Sequence, residues 1–151
     1  MKNIFDKAVA EELISRMDKL NADSERIWGA MGAAQMLAHC NVTYEMIYEE
    51  GKHPKVKGFK KFILKMFIKP IVVTEKNFKK NSPTTPAFIV KSDKNFEAEK
   101  ERLVNFIRKT SEIGAAHFEG KESNSFGVLN STEWNNMMFK HLDHHLSQFG
   151  V

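Results

Sequence analysis

A chain of 151 residues, 42% hydrophobic and 28% charged, is long enough to bury a core and too apolar to remain disordered. No apolar run reaches the roughly 20 residues of a membrane-spanning helix, and residues 1–12 lack the apolar core of a signal peptide. Cys40 stands alone, so an internal disulfide is excluded, and the expectation is one domain over residues 1–151 in the cytoplasm.

The net charge of +4 conceals an asymmetry: residues 51–80 hold ten lysines and one acid, while the rest of the chain is net acidic.

In chain order, residues 3–20 place Phe5, Val9, Leu13, Met17 and Leu20 at spacings of three and four, one stripe of an amphipathic helix. "NADSE" is a polar turn. A second helix begins near Gly32, with Gln35 at the capping-box position, and runs to Gly51. It is apolar over most of its circumference, which predicts a central position. "GKHPKVKG" is a loop. "FKKFILKMFIK" follows as a short helix that Pro70 stops or kinks, and "IVVTE" either finishes that helix or runs extended. "NSPTTPAF" is a turn region, and residues 95–114 form a further helix with Phe96, Leu103, Phe106 and Ile107 inward. "GKESNSFG" is a loop. Asn130 and Glu133 make a capping box that opens the last helix, which Gly150 closes. Without a convincing strand pair, the expected fold is all-α: an antiparallel four-helix bundle with an additional short Lys-rich helix.

The last helix gathers three of the six histidines, His141, His144 and His145, within five positions. With Trp134 set at zero and about 100° per residue, Met138, Leu142 and Phe149 fall between roughly 40° and 80°. On that wheel His145 lies at roughly 20° and His141 at roughly 340°, so both point toward the core, whereas His144 lies off it and Asp143 faces water. Imidazoles one helical turn apart have β-carbons about 5–6 Å apart, close enough to share an ion at about 2.0–2.1 Å. A catalytic site needs a third protein ligand, and His39 on the apolar second helix is the candidate. His53 and His117 lie in or near loops, and Cys40 points away from His39 as a small core residue. Gln35, Thr43 and Glu45 share the helix of His39 and are candidates to hydrogen-bond the ligands. Trp134, Met137 and Met138 read as core.

"WGAMGAAQMLAHC" followed by "SFGVLNSTEWNNMMFKHLDHHLSQFG" resembles the DinB/YfiT-like superfamily of metalloenzymes, and more narrowly its small branch of uncharacterised bacterial proteins. The resemblance covers nearly the whole chain. It implies a four-helix bundle, often dimeric, with His39, His141 and His145 holding a divalent metal, nickel or zinc. It also implies a small-molecule substrate, since some relatives are S-transferases acting through a low-molecular-weight thiol. Many relatives carry a histidine shortly before FG, where this chain has "SNSFG". An ion held by three neutral imidazoles would activate a thiol or a water, as in a transferase or hydrolase. The same ion could instead simply tie the helices together.

In residues 57–69, Phe59, Phe62, Ile63, Met66 and Phe67 gather on one side and lysines stand opposite and on the flanks. Such a helix can meet a partner or an anionic membrane. The stronger expectation is that it covers the end of the bundle with its apolar face buried and its lysines solvated. Nucleic acid is not an expected partner, because the cluster has no arginine and no recognition motif accompanies it.

Overall fold

A computed structural model describes residues 1–151. The chain is mainly helical: α1 (Lys7–Met17), α2 (Ala33–Tyr48), α3 (Gly58–Ile63), a π turn (Leu64–Ile68), α4 (Lys69–Val73), α5 (Phe96–Ile113) and α6 (Ser131–Gln148). Short 3₁₀ turns occupy Pro86–Phe88 and Ala115–Phe118. No helix is long and apolar enough to cross a membrane.

Local chemistry sets the ends of the long helices. The Asp6 carboxylate accepts from the Ala8 amide at the start of α1, and the Asn95 side chain accepts from the Ala98 amide at the start of α5. At α6 the expected capping box is present: Asn130 Oδ1 accepts from the Glu133 amide at 2.8 Å, and Glu133 accepts from the Asn130 amide at 3.1 Å. The Gln35 side chain accepts from the Gly32 amide ahead of α2.

α2 packs along α5, α1 along α5 and α6, and α4 against α6. Leu13, Met17, Met36, Leu37, Tyr44, Leu103, Ile107, Met138 and Leu142 are fully buried among them. Trp134 and Met138 are core side chains, as is Cys40, whose thiol burial pushes upward in pKa. α2 is central, with eleven consecutive or near-consecutive positions buried from Ala33 to Glu45.

Two local features bear on the sequence reading. Of the alternatives open at Pro70 and in "IVVTE", the helix is not stopped, and residues 71–73 finish it. It passes into α4 because the preceding π turn, where the Lys69 amide reaches back to the Leu64 carbonyl, changes the register just before the proline. The loop at 120–127 contains a minimal hairpin, β1 (Glu122–Ser123) with β2 (Gly127–Val128), closed by a Phe126 amide bond to Ser123 Oγ and by Gly127 at φ +77°.

Lys140 ties α4 to α6. It is only 2% exposed, and its ammonium donates to the carbonyls of Ile71, Thr74 and Lys76 while lying 4.7 Å from the Phe78 ring centroid. Those carbonyls have no further helical turn to bond to, so the lysine satisfies the end of α4. Burial pulls its pKa down to about 8, which keeps it mostly charged at neutral pH. Lys140→Met leaves three carbonyls unsatisfied and is expected to lower stability by about 2–4 kcal/mol. A urea denaturation midpoint unchanged from wild type would contradict this.

Candidate metal centre

α2 and α6 together carry the candidate site. His39 sits on α2, and His141 and His145 sit one turn apart on α6, so both helices fix their backbones before any ligand arrives. One ring nitrogen from each of the three lies within 4.8 Å of the others, and the set contains no cysteine, aspartate or glutamate. The Nε2 atoms of His39 and His141 are 2.9 Å apart. Ring centroids are separated by 4.9 Å (His39 and His141), 4.6 Å (His39 and His145) and 4.8 Å (His141 and His145). Nitrogens sharing a tetrahedral ion would be about 3.3 Å apart, so small ring shifts close the set on one cation. The three residues could therefore bind a metal ion.

The far side of each ring is held. His39 Nδ1 lies 2.8 Å from the Phe88 carbonyl, which can only accept, so this nitrogen carries the hydrogen and Nε2 faces inward with a lone pair. His145 Nδ1 lies 2.9 Å from Gln148 Oε1. The Gln148 amide is oriented in turn by donating Nε2–H to the Trp28 carbonyl at 2.7 Å. His145 therefore also presents Nε2 as an acceptor.

His141 differs, because its Nδ1 meets the Thr43 hydroxyl at 3.1 Å, and a hydroxyl can donate or accept. With no ion bound, Thr43 donates to Nδ1 and His141 Nε2–H donates to His39. Were a cation bound, the hydroxyl could accept from Nδ1–H instead, and His141 would offer a third Nε2 lone pair. This is how metal-binding histidines are commonly held, with the second nitrogen fixed by an oxygen.

Burial lowers the pKa of all three rings. His145 falls to about 3, His141 falls well below its ordinary value with help from its histidine neighbours, and His39 is lowered despite the Phe88 carbonyl. All three rings are therefore neutral at pH 7, the form that ligates.

Two close approaches build this arrangement. Gly29 has φ +83°, and a β-carbon there would come within 2.2 Å of Gln148 Nε2. Only glycine lets the 27–29 turn lie against the amide that orients His145. The Phe88 carbonyl comes from the 3₁₀ turn Pro86–Phe88, and the Phe88 ring stands edge-on to both His39 and His141.

The other sequence candidates distribute as follows. Thr43 does support the site, but Gln35 and Glu45 do not. Gln35 caps α2. Glu45 anchors a separate network, accepting from Arg102, from Lys52 at 2.9 Å and from His53 at 2.7 Å. Burial works against its ionisation, yet the hydrogen bonds from His53, Lys52 and Arg102 hold it down at about 2. His53 thus has the fixed partner that its loop position did not suggest. His144 packs beside Phe78 and Trp28, and Asp143 pairs with Arg16 at 2.7 Å. Gln148, Gly29 and Phe88 were not singled out by sequence. The first could have been found from its position three residues after His145, one turn along α6.

Two outcomes follow. A histidine lowered in the folded state binds fewer protons than in the unfolded chain, so stability is lost as pH falls from about 6.5 toward 3. Thermal melts of the metal-free chain should decline between about pH 6.5 and 4.5, above the range where carboxylates respond, and His145→Gln should flatten that slope. Gly29→Ala should displace the Gln148 amide and weaken metal binding about tenfold. Adding Gln148→Ala to it should then have little further effect, as measured by competition with a chromophoric chelator.

No curated protein and no solved structure matches the chain. Residues 5–150 match the family described as Protein of unknown function (DUF1569), and the chain belongs to that family.

Proposed function

We propose that the protein is a divalent-metal-dependent enzyme of the DinB/YfiT-like kind, a four-helix bundle whose His39, His141 and His145 hold nickel or zinc. The observation that carries this reading is the orientation of the three imidazoles. Neutral rings converge by one nitrogen each, while the opposite nitrogens meet Phe88, Thr43 and Gln148. A group of histidines packed only for bulk would not need three separate oxygens to aim it.

Three protein ligands leave coordination positions free, and a divalent ion there supplies Lewis acidity to a thiol or a water. The chain's own contribution is to hold the ligands neutral and oriented. A cavity of about 330 Å³ includes Phe88, whose carbonyl meets His39, and is also lined by His53, Lys55, Lys57, Lys60 and Asn124. Its size fits a small molecule, and its three lysines fit one bearing a carboxylate or another anion. We therefore infer a small-molecule substrate, with thiol transfer to an electrophile or hydrolysis as the reaction type. Because neutral nitrogen donors bind both ions well, supply decides between nickel and zinc.

The purified chain is expected to hold about one divalent ion, and His145→Ala to lose it. Thr43→Val, which keeps the shape but removes the hydroxyl, should weaken affinity about 10- to 100-fold. Elemental analysis finding stoichiometric metal in His145→Ala would refute the ligand set. A metal spectrum insensitive to added small thiols and anions would instead indicate an ion that only holds helices together.

A further inference from the structure

The Lys-rich helix lies the opposite way round from the sequence expectation. Most of its apolar stripe faces outward: Phe59 is 77% exposed, Phe62 53%, Met66 51% and Phe67 59%, and Ile71 continues the line at 55%, while Ile63 is half-buried. The inward side carries half-buried Ile63, Leu64 and Ile68 and two ion pairs, Lys61 to Glu122 at 2.8 Å and Lys69 to Glu133 at 2.8 Å. Two lysines are thus drawn toward the protein by acids of the hairpin and of α6, and the aromatic side is left in water. Phe59 and Phe62 stack with ring centroids 6.3 Å apart, while Lys60 and Lys65 are exposed beside the stripe and have no carboxylate partner. A row of this length, rimmed by free ammonium groups, is an interaction surface rather than scattered surface apolarity.

We propose that the outward face of residues 58–73 docks on an anionic lipid bilayer. The charge of the segment selects this occupant. Lys52, Lys55, Lys61 and Lys69 pair with acids of neighbouring elements, but Lys60 and Lys65 beside the stripe do not, so a second copy seated on the same face would set like charge against like. An anionic plane meets the lysines with opposite charge. Rings more than half exposed stand out from the surface, which suits insertion among acyl chains. The lysines beside them lie at headgroup level, as in helices that rest in the membrane interface. Apolar insertion and a basic rim are the two signals that reversible surface binding needs. The inference is independent of the metal site.

The test is co-sedimentation of the full chain with phosphatidylcholine vesicles, with and without about 30% phosphatidylglycerol, at about 50 and 300 mM salt. Binding is expected only with the anionic lipid and mainly at the lower salt. Lys60→Ala with Lys65→Ala should weaken it about 25-fold, near fivefold for each lysine. Phe62→Ser with Phe67→Ser should abolish it, leaving helicity and metal content unchanged because both residues are more than half exposed. Absence of binding to anionic vesicles at the lower salt overturns the proposal, as does binding that ignores the Phe substitutions. A dimer in analytical ultracentrifugation that the Phe substitutions dissociate assigns the stripe to a second copy and equally overturns it. So does capture by an acidic polypeptide without capture by vesicles.

Discussion

Three imidazoles removed from water and turned toward one another are the constraint on which the rest of this molecule depends. Each ring would rather be solvated, and each would repel a protonated neighbour. Burial resolves the conflict by driving off the protons, and the fold offsets part of the cost by giving every Nδ1 an oxygen. What is left over is a group of inward nitrogens, two of them sharing one hydrogen at 2.9 Å, that would be favourable around a cation. The three residues could therefore hold a metal ion.

The surrounding architecture makes sense as support for that cluster. α2 is buried on most sides and delivers His39 and Thr43 from rigid backbone, and α6 delivers the other two histidines one turn apart. The less regular segments supply the orienting oxygens. The 27–29 turn comes close enough to Gln148 only because position 29 has no side chain, and the 3₁₀ turn at 86–88 lends a carbonyl to His39. Lys140, adjacent to His141, fixes α4 against the same helix, so the Lys-rich region is joined to the helix bearing the ligands by a buried charge bonded to three carbonyls. Precise placement on helices with orientation supplied by loops is a common division of labour in functional sites.

The Lys-rich helix carries a different lesson. Its amphipathic pattern was plain, and amphipathicity ordinarily implies that the apolar side is the buried one. Here Ile63, Leu64, Ile68, Val72 and Val73 turn inward, beside the ion pairs with Glu122 and Glu133 and the clamp at Lys140, and the aromatic side is outward. Periodicity reports that a helix has two faces. It does not report which face the remainder of the protein occupies.

By itself the sequence determined what depends on neighbours within a turn or two. The amphipathic stripes located the long helices, the Asn130 and Glu133 pair located the start of α6, and spacing alone put His141 and His145 on one inward side. His39 was legible as a buried candidate because its helix is apolar nearly all round. That it meets the other two, more than 100 residues further along the chain, was decided by the packing of α2 against α6. Tertiary structure also decided the partners of the rings. A backbone carbonyl such as that of Phe88 has no signature in residue identity, and Gly29 matters only through its closeness to Gln148. Glu45, which the helix placed on the same segment as His39, went to Arg102 and His53 because those charges came from elements that the local pattern could not position. Local spacing fixes the direction of a side chain relative to its own helix, whereas the identity of what it touches is set by contacts made across the fold.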